Sequence, residues 1–151
     1  MVGIDLDPAG IELARKLDGT GDIQYVVGDF LTYPLEPESF DAVVSVAALH
    51  HMDAEAALTR MRDLLRPGGV LAIIGLARSR FPADLPLDAA GLAASRLYRL
   101  RKRHWEHPSP TLWPPPLTYA QMRNTARTLL PGSRFRRHLL WRYSVVWSKS
   151  G

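Results

Sequence analysis

The sequence predicts an α/β fold built on a doubly wound, mainly parallel sheet. Strand-like and helix-like segments follow one another in the order βαββαβ over residues 1–75, and two of the strand segments are almost continuously apolar. Apolar runs of that kind are typical of strands that helices cover on both faces. Connections through helices or loops allow crossovers, which favour parallel pairing.

The first strand and the first helix are predicted from the opening MVGIDLDPAG. Val2, Ile4 and Leu6 alternate with small or acidic residues, as in a short buried strand. Asp7 and Pro8 then supply an N-cap and a first-turn proline. The next three turns have apolar residues at helical spacing and end at a glycine, which predicts one amphipathic helix.

Three further strands and one helix are predicted before residue 76. IQYVVGDF alternates apolar residues and closes on Gly28-Asp29, while FDAVVSVAAL and VLAIIG are the two buried runs. Between those two runs, Asp53 is the expected N-cap of a helix that continues through Leu65, where RPGG stops it.

The pattern changes after residue 78. Residues 81–87 are interrupted by proline, 88–103 has the composition of a basic helix, and 105–117 holds five prolines and two tryptophans. This region predicts no further buried strand.

A helix and a β-ribbon close the sequence. Thr118 is expected to cap a helix to about Leu130, which Pro131-Gly132 stop. In RFRRHLLWRYSVVW, large apolar residues share one parity and Arg, His and Ser mainly occupy the other, which predicts a ribbon of two strands near 134–147. The apolar set is Phe135, Leu139, Trp141, Tyr143, Val145 and Trp147.

Composition indicates one soluble domain. The 151 residues are 46% hydrophobic and 23% charged, and there is no cysteine for disulfides or thiolate metal sites. No apolar run reaches the roughly 18 residues that a spanning helix needs, so a cytoplasmic location is expected. Residues 1–75 carry 12 acidic and 5 basic side chains, whereas 76–151 carry 3 and 14. The asymmetry fits either a nucleic-acid or membrane surface, or two oppositely charged halves that pack together.

Four motifs, in order, carry a family resemblance: VGIDLDP, VVGDF, FDAVVSVAALHHM and LLRPGGVLAIIG. Together they resemble the class I S-adenosylmethionine (SAM)-dependent methyltransferases of the type that acts on small molecules. The resemblance runs from the family's second strand to its terminal antiparallel strand. It implies a Rossmann-like methyltransferase fold, SAM as cofactor and a methyl-transfer activity.

The resemblance also implies roles for five residues around SAM. Asp5 would accept hydrogen bonds from the ribose hydroxyls, and Leu6 would pack on the adenine. Asp29 would accept from the adenine amine, with Phe30 beside the ring, and Ala47 is the fifth implied cofactor residue. A carboxylate suits the roles of Asp5 and Asp29 because it offers only hydrogen-bond acceptors. Without the other motifs, Gly-Asp at 28–29 is a turn-forming pair.

Two histidines occupy the loop where methyl donor and acceptor meet in the family. His50 is a candidate polar group on the substrate side, or a general base, and His51 is expected to be packed or to cap the next helix. Adjacent histidines rarely bind one ion without further ligands, so no metal site is expected. The loop also lacks the Asn-Pro-Pro-aromatic signature of many enzymes that methylate nucleic-acid or protein amines, which disfavours such targets.

The sequence departs from the family ahead of Val2. The family's first strand and glycine-rich loop, which hold the methionine part of SAM, do not occur in these 151 residues. We therefore expect an N-terminally truncated, partial methyltransferase domain over 1–151; the alternative is a short protein that kept the scaffold and lost methylation. The missing strand would sit between those from Val2 and Val43, so a gap or a new pairing is expected there, with exposed apolar surface.

The expected function is SAM-dependent methyl transfer to a small-molecule acceptor, impaired by the missing loop. One alternative is a non-catalytic Rossmann-like binding or scaffold module that uses its basic C-terminal half, and another is a fragment of a nicotinamide dehydrogenase. Residues 78–117 would be a substrate-side insertion whose basic segment is either a solvated helix face or a lid over an aromatic or anionic substrate. A peripheral membrane contact is possible, nucleic acid is disfavoured, and the oligomeric state is open. The cations are Arg96, Arg99, Arg101, Lys102 and Arg103.

Overall fold

The computed structural model describes residues 1–101 and 113–151, without the side chains of Arg99 and Arg101. A 3-10 turn at Leu49–His51 follows the third strand. The strands and helices, in chain order, are β1 (Val2–Asp5), α1 (Pro8–Leu17), β2 (Gln24–Val27), β3 (Phe40–Val46), α2 (Ala54–Leu64), β4 (Leu65–Leu76), α3 (Leu85–Arg101), α4 (Tyr119–Leu129), β5 (Arg134–Arg137) and β6 (Arg142–Ser148).

The described residues form two compact units, 1–35 and 36–101 with 113–151. In the first unit β1 and β2 pair in parallel, with Asp5 opposite Val27. Helix α1 connects them, and its N-cap Asp7 accepts a hydrogen bond from the Ala9 amide at 3.0 Å. The Arg15 guanidinium donates to the Tyr25 carbonyl at 2.8 Å, which ties the helix to β2.

The second unit contains a four-stranded sheet in the order β3-β4-β6-β5. β3 and β4 are parallel, and the other two pairings are antiparallel. One face of this sheet packs under α2 and α4 and forms the core. The buried residues of that core include Leu58, Met61, Leu71, Ile73, Met122, Ala126 and Val145.

The opposite face of the four-stranded sheet is apolar and exposed. Val44 and Val46 on β3 are 69% and 60% exposed, and β3 is an edge strand of its sheet. The register places Val44 opposite Ala72 and Val46 opposite Ile74, so these side chains share one face. Three further residues of this face, Val70, Ile74 and Val146, are between 40% and 45% exposed.

The α/β class, the βαββαβ order and the terminal ribbon are confirmed. The described strands form a parallel pair and a separate mixed sheet, which is the first of the two outcomes, a gap or a new pairing, expected between the strands from Val2 and Val43. β1 pairs with β2 and β3 pairs with β4, so the strands from Val2 and Val43 gain no new partner in the described chain.

Two smaller corrections concern element ends. α3 begins at Leu85, earlier than the predicted basic helix, because a proline in the first turn of a helix loses no hydrogen bond. In the ribbon, Leu140 and Trp141 have positive φ, which breaks the predicted alternation and leaves Leu139 48% exposed. Lys102, Arg103 and Trp105 of the basic segment lie outside the described residues.

Candidate functional site

Asp5 and Leu6 lie where β1 ends, in the first unit. Asp5 Oδ1 accepts a hydrogen bond from the Asp7 amide at 2.9 Å, and the Asp5 carbonyl accepts one from the Gly28 amide at 2.9 Å. These bonds fix the strand end while Asp5 remains exposed to solvent. Leu6 is 63% exposed. The unit therefore presents a carboxylate beside an uncovered apolar side chain.

Asp29 and Phe30 follow the end of β2 in the same unit. Asp29 Oδ1 accepts from the Leu31 amide at 2.8 Å, and the Asp29 carbonyl accepts from the Tyr33 amide at 2.8 Å. Asp29 thus forms the turn that the Gly28-Asp29 pair predicts by itself, and it is half-buried, as is Phe30. Because β1 and β2 are parallel, Asp5 and Asp29 lie at the same edge of this two-stranded sheet.

Ala47 follows β3 in the second unit with a φ of 53°. Its amide donates to the Ile74 carbonyl at 2.7 Å, which holds the chain as it leaves the strand. A left-handed conformation costs a residue with a Cβ about 1–2 kcal/mol, and such strain concentrates at functional sites. Ala47 as a whole is exposed to solvent.

His50 lies in the 3-10 turn after β3 and is 8% exposed. Its Nδ1 is buried without a hydrogen-bond partner in the described chain. Burial lowers the pKa of His50 below its ordinary value, and the charge on His51, whose ring centroid lies 4.0 Å away, lowers it further. A neutral imidazole results, with one nitrogen that can accept a proton or a hydrogen bond.

His51 does not have its predicted role. It is exposed, and the N-cap of α2 is Asp53, whose Oδ1 accepts from the Ala56 amide at 2.7 Å. Within 1–101 and 113–151, no group of three or more His, Asp or Glu side chains is arranged to hold a metal ion. None of the helices in those ranges is long and apolar enough to cross a membrane.

A cavity of about 220 Å³ lies beside His50 in the second unit. Its inner wall is formed by buried residues: Leu49, His50, Met122 and Tyr143. Asp53 and Glu55, at the start of α2, line its exposed side. The inner wall of the cavity is thus mainly apolar, with one imidazole and one phenol hydroxyl, and its exposed side is acidic.

The wall of this cavity depends on a close approach between β4 and β6. Gly75 lies opposite Tyr143, and a Cβ at Gly75 would overlap the Tyr143 phenol. Burial raises the pKa of Tyr143, so its hydroxyl stays protonated. Sequence reasoning missed Met122 and Tyr143 because they come from α4 and β6, far along the chain from His50, and no local motif marks them.

The predicted site residues fall into two sets. Asp5, Leu6, Asp29 and Phe30 gather at one edge of the β1–β2 sheet, and their acceptors and apolar surfaces fit a ribose and an adenine. Ala47 and His50 belong to the second unit. The acceptors and apolar side chains at this edge therefore fit the nucleoside part of SAM.

Comparison with known proteins identifies the family. Residues 1–73 match the family model described as a methyltransferase domain. An uncharacterized methyltransferase of Mycobacterium tuberculosis is 35% identical over 148 residues, which are 97% of this chain and 75% of the relative. A phthiotriol/phenolphthiotriol dimycocerosates methyltransferase of Mycobacterium leprae is 36% identical over 102 residues, 67% of this chain and 37% of the relative.

Solved structures show the same fold. A SAM-dependent methyltransferase from Methanosarcina mazei superposes with a TM-score of 0.62 at 15% identity, covering 99% of this chain and 81% of that one. Together with the sequence relatives, this establishes that the chain belongs to the class I SAM-dependent methyltransferases.

Proposed function

We propose that the chain holds SAM through Asp5, Leu6, Asp29, Phe30 and Ala47, and that the methyl group goes to a small-molecule acceptor beside His50. The observation that carries this proposal is the position of Asp5. It is an exposed carboxylate, fixed by the Asp7 amide at the end of a parallel strand, in a chain of this family.

The adenosine part of SAM meets complementary groups at the β1–β2 edge. The Asp5 carboxylate accepts from ribose hydroxyls, and Asp29, although it also forms the turn, has acceptor capacity left for the adenine amine. Leu6 and Phe30 supply apolar surface for the base. SAM supplies, when bound, a methyl group that the sulfonium charge already activates.

The residues of the chain then mainly align and desolvate the acceptor. His50, kept neutral by burial, can hold the proton that the acceptor loses. This role suits a buried imidazole whose Nδ1 has no other partner among the described residues.

Residues 78–117 are the proposed substrate-side insertion of one domain that spans 1–151. The Arg78 amide donates to the Leu117 carbonyl at 2.8 Å, so the two ends of this segment lie next to each other. This is expected of a segment inserted between two elements of a domain. We assign the protein to the cytoplasm on composition.

Binding of SAM by the 151-residue chain is expected to be weak. The five residues contact the adenosine half, and no glycine-rich loop accompanies them to hold the methionine half. Several hydrogen bonds to charged groups are then lacking, which lowers affinity by about two to four orders of magnitude.

Calorimetric titration with SAM tests the proposal. We expect weak binding by the natural chain and a further loss of about tenfold in Asp5→Asn and Asp29→Asn. Asp22→Asn is the matched control, because it removes an exposed carboxylate of the same unit away from that edge. A chain that binds no SAM would favour the scaffold alternative, and equal losses in all three variants would refute the assigned residues.

A further inference from the structure

The cavity beside His50 is the feature that restricts the acceptor. Its volume of about 220 Å³ is small for a whole drug-sized ligand. An apolar cavity of about 150 Å³ accepts one benzene ring. A single ring, or an equally compact aliphatic group, with one substituent therefore fits this space.

Charge restricts the acceptor further. The described lining contains the carboxylates of Asp53 and Glu55 and no lysine or arginine. An anionic acceptor would meet like charge at the exposed side and an apolar wall inside. An ammonium group at the inner end would lose its water without a buried carboxylate beside it, since both acidic residues are exposed.

The inner wall offers two polar side chains, the His50 imidazole and the Tyr143 hydroxyl. His50 is 8% exposed, lines the cavity, and has a buried Nδ1 without a partner in the described chain. A neutral imidazole has one nitrogen that accepts a hydrogen bond, so a ligand that donates a hydrogen bond to the His50 ring is favoured over an isomer that cannot.

We infer that the acceptor is a neutral, compact, mainly apolar molecule whose hydroxyl group donates a hydrogen bond to His50. The inference rests on the proposed function, because it names the acceptor class for that site. It replaces the wider expectation of an aromatic or anionic substrate with a neutral alcohol or phenol.

Isomeric probes test the hydroxyl directly. 4-Methylphenol and anisole have the same atoms, but only the first has an O–H donor. Ligand-observed NMR on the full 151-residue chain at pH 7.5 should give about fivefold tighter binding of 4-methylphenol than of anisole, as one added hydrogen bond predicts. Benzyl alcohol should also bind more tightly than anisole, and benzoate and benzylammonium more weakly than 4-methylphenol.

Two variants locate the effect. In His50→Phe, which keeps a ring and removes the acceptor, 4-methylphenol and anisole should bind equally. The neighbouring His51→Phe should keep the fivefold preference. If His50→Phe does not fold, the comparison of 4-methylphenol with anisole on the natural chain still tests whether the hydroxyl group is recognised.

Equal binding of the two isomers, tighter binding of benzoate or benzylammonium, or no binding of any probe would overturn the inference. None of these measurements uses SAM, so such a result leaves the Asp5 and Asp29 test of the cofactor site intact. If Asp5→Asn and Asp29→Asn left SAM affinity unchanged while 4-methylphenol still bound more tightly than anisole, the result would instead count against the proposed cofactor residues.

Discussion

Gly75 on β4 and Tyr143 on β6 approach so closely that a single methyl group on Gly75 would overlap the Tyr143 phenol. Tyr143 is 1% exposed, so its ring is packed among other side chains. The pair joins the central strands of the larger sheet and shapes the inner wall of the cavity.

We expect Gly75→Ala to destabilise the protein. The added methyl group displaces the Tyr143 ring inside a packed core, which costs about 1–3 kcal/mol of unfolding free energy. Gly91→Ala is the control, because a Cβ there meets only ordinary contacts with Leu140 and a helical alanine is favoured over glycine. Urea unfolding, monitored by tryptophan fluorescence, should show a lower free energy of unfolding for Gly75→Ala than for Gly91→Ala. Equal stability of the two variants would contradict the close approach.

Stability should fall on acidification through His50. Burial, and secondarily the charge on His51, hold its native pKa below the ordinary 6.5. Between pH 6.5 and that lower pKa the unfolded chain binds more protons, so the free energy of unfolding decreases as pH drops through this window. We expect the free energy of unfolding to depend less on pH in His50→Gln, and to keep most of its pH dependence in His51→Gln. Urea unfolding at a series of pH values between 5 and 8 measures how the free energy of unfolding changes with pH. An identical pH dependence in His50→Gln and in the natural chain would refute the account.

The capping box of α4 gives a prediction about the helix that covers the sheet. The Thr118 hydroxyl accepts from the Gln121 amide, and the Gln121 side chain accepts from the Thr118 amide at 2.9 Å. Thr118→Ala should cost about 1 kcal/mol. Thr128→Ala, at an exposed position within α4, should be neutral or slightly stabilising. A Thr118→Ala variant as stable as Thr128→Ala would show that the cap contributes nothing.

The exposed apolar sheet face should promote association. Val44 is 69% exposed on an edge strand, so Val44→Lys should raise the concentration at which light scattering appears while changing unfolding free energy little. Val145, on the buried face of the same sheet, is 0% exposed, and Val145→Lys should prevent folding. Unchanged scattering in Val44→Lys would mean that this face does not mediate association.

Local chemistry explains what could be predicted from the sequence. The Asp7 cap with Pro8, the Asp53 cap and the Thr118 cap each depend on side chains close together in the sequence, and all three caps are observed. The positive φ at Leu140 and Trp141 gave no such signal, because neither residue type favours it.

Non-local features escaped prediction. Whether the strands from Val2 and Val43 find new partners depends on which edges pair, so the sequence left a gap and a new pairing both open. The cavity likewise joins the turn after β3 to α4 and β6, so the environment of His50 could not be read from AALHHM alone. The positions of Asp5 at the end of β1 and of Asp29 just after β2 could be predicted because each strand is recognisable by itself.

The central claim is that Asp5 recognises the ribose of SAM, and a double-mutant cycle with nucleosides tests it most directly. NMR titration of the natural chain should show adenosine binding about tenfold more tightly than 2′-deoxyadenosine, which lacks one ribose hydroxyl. In Asp5→Asn this preference should shrink severalfold, while in Asp22→Asn it should persist. An unchanged preference in Asp5→Asn, or no preference in the natural chain, would contradict the account.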